Sequence, residues 1–217
     1  MFPSPRFNYR TSTLVTAPSV EPVSVADVKL FARIDGTDED SLLSSLIGTA
    51  RRAAETYTRR AFITQTWMLT QDGFSDLFGD CALSGVMIAP NPALVDGSSA
   101  IDLPREPIQS IASVKTFDTA NVETTVDSAV YRLDAASSRL LLNAGQTWPS
   151  SLRPEGAVQI RFVAGYGDAA TDVPAEIRQA IMMHVTAMYE NRMCADLPSC
   201  AMALLDPFRT AEAYGAW

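Results

Sequence analysis

A chain of 217 residues, 47% hydrophobic and 19% charged, can bury one good core or two small ones, and this composition excludes wholesale disorder. A formal net charge of −8 excludes a protein built to grip nucleic acid, because phosphate binding requires clustered Lys and Arg. It leaves room for a protein that DNA passes without sticking. No apolar run follows Arg6, so a secretory signal is not expected. The apolar-rich stretch from Ala180 to Tyr189 is interrupted by His184 and Thr186 and is too short to span a bilayer. The expectation is a soluble protein made in the cytosol, with no membrane partner.

Residues 1–23 are rich in Pro, Ser and Thr and read as an extended N-terminal arm. Ser24 with Asp27 three residues on makes a capping-box start to a helix over Val25–Ala32. After the loop Asp35-Gly36-Thr37, Thr37 is placed to cap a second helix, with Asp38, Glu39 and Asp40 at the positive end of its dipole. Leu42, Leu43, Leu46, Ile47, Ala50, Ala53, Ala54 and Tyr57 form a stripe at helical spacing that runs to about Thr58. Arg51, Arg52, Arg59 and Arg60 read as a solvated face, with Arg51 and Arg59 four residues from Glu55.

From Phe62 the period changes to two. Thr64–Thr70 alternates polar and apolar residues, and further strands are expected at Gly85–Ile88, Ala100–Leu103, Ile108–Phe117, Val122–Val126, Val130–Leu133, Arg139–Leu142 and Ala157–Ala164. Asp72–Ser99 is less regular and reads as a long loop. Gly165-Tyr166-Gly167 reads as a turn. Trp67, Trp148 and Tyr131 are placed in or beside strands, where core packing is expected. Helix returns after Pro174, with Ile177, Ala180, Ile181, Val185, Met188 and Tyr189 as its buried stripe, and stops at Asn191 or Arg192. A short last helix covers Ser199–Leu205, and Pro207 stops it.

The fold expected is α+β. A helical domain (24–61 and 172–206) of three main helices and a short C-terminal one receives an inserted antiparallel β domain (62–171), sandwich or barrel-like. Residues 207–217 are left as a C-terminal tail.

Chemistry is sparse. His184 is the sole histidine, so any nucleophile–His dyad must use it and no two-His metal site can form. At the edge of a core stripe it reads as a packing residue. Cys81, Cys194 and Cys200 lack C-x-x-C spacing and are expected as reduced thiols. The acidic cluster at Asp35, Asp38, Glu39 and Asp40 lacks the spacing of a calcium loop. Neither a G-x-S-x-G elbow nor a phosphate-binding loop is present. No catalytic residue, metal or cofactor is expected, and the chain is read as a structural protein. The C-terminal aromatic and Arg residues are of the types that anchor protein–protein contacts, against the plainer reading of a tail tucked on its own domain.

Several stretches together resemble the head–tail connector (adaptor) family of tailed phages, in its longer members with an inserted β domain. These are residues 18–34, the helix ending Ala53-Ala54-Glu55-Thr56-Tyr57-Thr58-Arg59-Arg60, Phe62–Trp67, Leu103–Ile111, Trp148-Pro149, Val158–Gly167 and Val173–Arg192. Leu204–Arg209 resembles the family's closing Leu-x-Pro-aromatic-Arg element. The resemblance implies a ring subunit, twelve copies in the usual case, on the portal vertex of a phage or a phage-derived particle such as a gene transfer agent. Such a ring extends the DNA channel, with DNA passing the lumen without specific binding, and offers a platform for a stopper or tail-completion protein. It implies a place in the virion neck, reached by assembly in the host cytoplasm. It also implies that the closing segment docks into the portal, which nominates Leu204, Leu205, Pro207, Phe208, Arg209, Tyr214 and Trp217 as portal-binding residues. Two other readings stay open: a stopper or tail-completion protein, and a β-sandwich binding module of the virion.

Overall fold

A computed structural model describes residues 9–74, 100–191 and 196–210. The chain divides into two compact units. One comprises residues 16–65, 105–107 and 164 onward; the other comprises residues up to 15, 66–104 and 108–163.

The helical unit opens at Ser24. Its hydroxyl accepts from the Asp27 amide at 3.1 Å, and the Asp27 carboxylate accepts from the Ser24 amide at 3.0 Å. These bonds satisfy donors that the first turn of a helix leaves orphaned. The Ser24 hydroxyl also holds the Asp27 carboxyl below its ordinary range. Helix α1 runs Val25–Ala32 and ends at Arg33 in the left-handed region, φ 55°. Helix α2 runs Asp40–Thr58 and buries Leu43, Ile47, Ala50 and Ala54 at spacings of four and three. Helix α3, Ala175–Glu190, buries Ile177, Ala180, Ile181, His184, Val185 and Met188, and helix α4, Ser199–Leu205, buries Ala201 and Leu205. α3 packs on α1, α2 and α4. The alanines on α2 and α3 let their backbones approach. Phe62 and Ile63, both fully buried, complete this core. Burying a Phe side chain such as Phe62 is worth about 1.5–3 kcal/mol.

The second unit holds two sheets. A five-stranded sheet has the order β1 (Arg10–Thr16), β2 (Gln65–Gln71), β8 (Val158–Ala164), β4 (Ile108–Phe117), β5 (Glu123–Thr125). A three-stranded sheet has the order β3 (Ile101–Asp102), β7 (Arg139–Leu142), β6 (Tyr131–Asp134). β2 and β8 alternate in burial residue by residue, with Trp67, Leu69, Ile160 and Phe162 inward. β6 and β7 form an antiparallel hairpin with Leu133 opposite Leu140. Its turn is shaped by the Asp134 carboxylate, which accepts from the Ala136 amide at 3.2 Å. Phe74 and Trp148 stack with ring centroids 4.2 Å apart. Mixed α+β structure with antiparallel pairing is therefore the observed class.

Three local expectations change. Residues 10–16 are not an arm but a strand in the five-stranded sheet; alternating short polar and β-branched residues (RTSTLVT) suit an edge strand. Thr37 does not cap α2. The cap position is Glu39, without a side-chain cap bond, because Glu39 is drawn to the Tyr189 hydroxyl and Asp40 to Lys29 at 2.6 Å. The strand expected at Gly85–Ile88, Cys81 and Cys194 lie outside the described residues.

Candidate functional site

The closing element is built on the end of α4. Leu205 is fully buried, and Leu204 and Phe208 are partly buried against the helical core. Asp206-Pro207-Phe208 make one 3-10 turn, with Pro at a position where its missing N–H has no helical partner to lose. The turn is tied to the end of α2. The Tyr57 hydroxyl donates to Asp206 Oδ1 at 2.6 Å, and the Arg209 guanidinium lies over the Tyr57 ring, 4.9 Å from its centroid. The Asp206 carboxylate raises the Tyr57 phenol above its ordinary pKa. Arg60 Nε donates to the Phe208 carbonyl at 2.5 Å, and the Thr210 amide and hydroxyl both donate to the Thr58 carbonyl at 3.2 Å.

These bonds change the picture of a tail free from residue 207. Residues 206–210 are held along α2, so a docking segment beginning at Pro207 starts on a bound platform. Leu205 is removed from any surface, because its side chain has 0% exposure and lies in the core. Pro207 and Arg209 are exposed, Leu204 and Phe208 half-exposed, and Tyr214 and Trp217 lie outside the described residues. Leu205→Ala is expected to lower folding stability by about 2–5 kcal/mol, the range for truncating a buried Leu. Pro207→Ala, at an exposed position, is expected to stay within about 0.5 kcal/mol of the parent. Chemical denaturation followed by circular dichroism checks both. Equal effects at the two positions would contradict this division.

A second constellation went unread in the sequence. Arg51 and Glu55 are not on a solvated face; they are 8% and 6% exposed. Arg51 Nη1 donates to Glu55 Oε2 at 2.8 Å, and Arg51 Nε donates to Glu21 Oε2 at 2.7 Å. The other oxygen of Glu55 accepts from the Phe62 amide at 3.0 Å and from Gln65 Nε2 at 2.7 Å. Arg105, in the short segment 105–107 of the same unit, donates to the Glu55 backbone carbonyl at 3.1 Å. Burial pushes the Glu55 carboxyl above its ordinary value, partly offset by Arg51 and by these hydrogen bonds. The i,i+4 spacing of Arg51 and Glu55 is visible in sequence, but its burial depends on Phe62 and Gln65, which no local pattern links to it.

Among the described residues, the remaining chemistry-bearing side chains do not converge. His184 is buried in α3 at 1% exposure. Among the described residues no group of three or more His, Cys, Asp or Glu side chains could hold a metal, and no helix is long and apolar enough to cross a membrane. The described features of the chain are those of packing and attachment.

Comparison with known proteins gives the same direction. The family described as phage gp6-like head–tail connector protein matches residues 22–144. A chain in the neck of an empty GTA particle computed with C6 symmetry is 25% identical, with a TM-score of 0.71, covering 95% of this chain and 98% of that one. A chain in the neck of a native GTA particle computed with C12 symmetry is 25% identical, with a TM-score of 0.70 over the same shares. A chain in the virion of a native gene transfer agent particle shares the fold at 24% identity, with a TM-score of 0.68 and 94% and 98% coverage. No curated protein matches the chain.

Proposed function

Because the chain belongs to the phage gp6-like head–tail connector family, with a structural role in head–tail connection, we propose that it is the adaptor subunit of a neck. In this reading copies of the chain close into a ring on the portal vertex of a phage or phage-derived particle. The ring extends the DNA channel and receives a stopper or tail-completion protein. The observation that carries the reading is similarity along 95% of the chain to neck components of particles computed with C6 and C12 symmetry. A likeness that long, spanning both compact units, supports a whole-chain role in place of a borrowed module.

The portal contact is assigned to the closing element, with exposed Pro207 and Arg209 presented beside half-exposed Leu204 and Phe208. The proposed contact includes Tyr214 and Trp217, which lie outside the described residues. Leu205 supports it from within the core. The net charge of −8 suits a passage that repels duplex phosphates and so leaves DNA mobile.

The test is reconstitution. Portal-bearing heads lacking this chain are mixed with purified protein and imaged by electron microscopy. The expected result is an added ring at the portal vertex, absent with a chain truncated after Thr210 or carrying Arg209→Ala. Rings formed equally well by those variants would overturn the portal assignment, and heads that never acquire the protein would overturn the adaptor reading.

A further inference from the structure

Arg60, two residues past the end of α2, reaches three stretches of the helical unit that are far apart in the chain. Its side chain is 22% exposed, in place of the solvated position expected from sequence. Nε donates to the Phe208 carbonyl at 2.5 Å, in the closing element. Nη2 pairs with Glu106 Oε2 at 3.3 Å, in the short segment 105–107. The guanidinium also donates to the Tyr166 phenol, just past the end of β8. Main-chain bonds fix the frame around these contacts. The Ala61 amide donates to the Glu106 carbonyl at 2.9 Å, and the Gly165 amide donates to the Pro107 carbonyl at 2.9 Å. A guanidinium carries five N–H donors in a rigid planar fork, so one side chain serves three acceptors at once. Rigidity has a consequence: a shift of the Phe208 carbonyl must be followed at Glu106 and Tyr166, or bonds are lost.

We propose that Arg60 is a positioning residue that couples the closing turn 206–210 to the return segments 105–107 and 164–167, so that seating the turn on the portal firms both segments. The consequence at the portal rests on the adaptor reading given above; the coupling within the chain does not. Such coupling is reciprocal, so loosening either return segment also loosens the turn. The segments 105–107 and 164–167 carry the chain into β4 and out of β8. Arg60 therefore ties the portal contact to the points where the chain enters and leaves its strands.

Amide hydrogen exchange on the full-length protein tests the coupling. Tyr57→Phe removes the hydroxyl that holds Asp206 at 2.6 Å and loosens the turn directly. Glu106→Gln removes the charge facing Arg60 and loosens the return segment directly. Three amides report: Thr210 on the Thr58 carbonyl, Ala61 on the Glu106 carbonyl and Gly165 on the Pro107 carbonyl. With Arg60 present, Tyr57→Phe is expected to speed exchange at Ala61 and Gly165, and Glu106→Gln at Thr210, by about 2- to 30-fold. In an Arg60→Gln background each change is expected to stay on its own side. The Ile34 amide, on the Lys29 carbonyl at 3.0 Å, controls for general loosening and is expected not to move. Effects confined to their own side with Arg60 in place would overturn the coupling. Crossing effects that persist without Arg60, or an Ile34 amide that moves equally, would also overturn it. If Arg60→Gln does not fold, the arms with Arg60 in place decide alone. On portal-bearing heads, Glu106→Gln is expected to weaken docking although it lies outside the closing element. Heads that take up wild type and this variant equally would overturn the coupling's role at the portal and leave the portal contact standing. Heads that take up neither would overturn the adaptor reading, while the exchange result stands on its own.

Discussion

Glu55→Ala is expected to lower folding stability by about 3–5 kcal/mol, measured by urea denaturation with circular dichroism at neutral pH. The substitution strips one of two carboxylate partners from Arg51, whose side chain is 10% exposed and which keeps Glu21, and leaves the Phe62 amide and the Gln65 amide group without their acceptor. A buried donor left without its acceptor costs more than the intact bond contributes, so the loss reflects the orphaned amides more than the strength of the bridge. Glu55→Gln retains a side-chain oxygen for the Phe62 amide and is expected to cost less, about 1–3 kcal/mol.

The same pair of proteins carries a pH signature. The folded-state pKa of Glu55 is raised from the ordinary 4.5, so the folded protein holds a proton there that the unfolded chain has released. The stability linked to that proton is fully present below pH 4.5 and is lost as pH rises through the folded pKa. The difference in unfolding free energy between wild type and Glu55→Gln should therefore shift against the wild type as pH rises above 4.5. A difference that stays flat across that range would contradict a raised Glu55.

Gly165→Ala is the second large effect, expected to cost about 3 kcal/mol or more and to reduce soluble expression. Gly165 sits at φ +136°, a region that side-chain-bearing residues rarely adopt. A Cβ there would lie 2.6 Å from the Ile63 carbonyl carbon and 2.6 Å from the Thr64 amide nitrogen, both backbone atoms with little freedom to move. The close approach has a structural reason. The Tyr166 amide donates to the Phe62 carbonyl at 3.0 Å, and the Thr64 amide donates to the Gly167 carbonyl at 3.0 Å. The two crossings of the chain into and out of the β strands are thus laced together within the helical unit. Thermal unfolding compares this variant with Gly145→Ala, where φ is also positive but no heavy atom lies within 4 Å. The Gly165 change should lower Tm by several degrees more; an equal shift would mean that conformation, not the lack of space, limits both sites.

These cases mark what the sequence made legible. The helices at Val25–Ala32 and Ser199–Leu205 and the strands at Ile108–Phe117 and Arg139–Leu142 follow directly from capping residues, periodicity and turn chemistry, which are local signals. Leu43, Ile47, Ala50 and Ala54 were readable as a core face because burial on a helix repeats at a fixed spacing. β1 was not readable, since Arg10–Thr16 is exposed and shows no burial alternation; only its pairing in the sheet makes it a strand. The burial of Arg51 and Glu55 leaves no local signal for a related reason. Charged residues at i,i+4 look the same on a wet face as in a buried network, and the distinguishing partners, Phe62 and Gln65, come from a different element. Gly165-Tyr166-Gly167 was visible as a turn, but not the backbone of residues 62–64 against which it packs.

The closing element shows the same division. Pro207 as a helix stop and the aromatic and Arg character of Phe208 and Arg209 are written in the sequence. Leu205 and Leu204, adjacent and identical in type, differ in fate: Leu205 is fully buried in the core and Leu204 only partly buried against it. The attachment of residues 206–210 to Tyr57, Thr58 and Arg60 spans about 150 residues of chain and leaves no local trace. That attachment gives the proposed portal contact a fixed footing, which lowers the ordering cost of docking relative to a loose tail.

The most direct measurement is a symmetry-free electron cryomicroscopy reconstruction of the neck of a particle that carries this chain. The account predicts a closed ring of copies seated on the portal, with Pro207, Phe208 and Arg209 of each copy against portal density. A reconstruction with the chain in isolated copies, or in a ring whose closing elements face away from the portal, would contradict it.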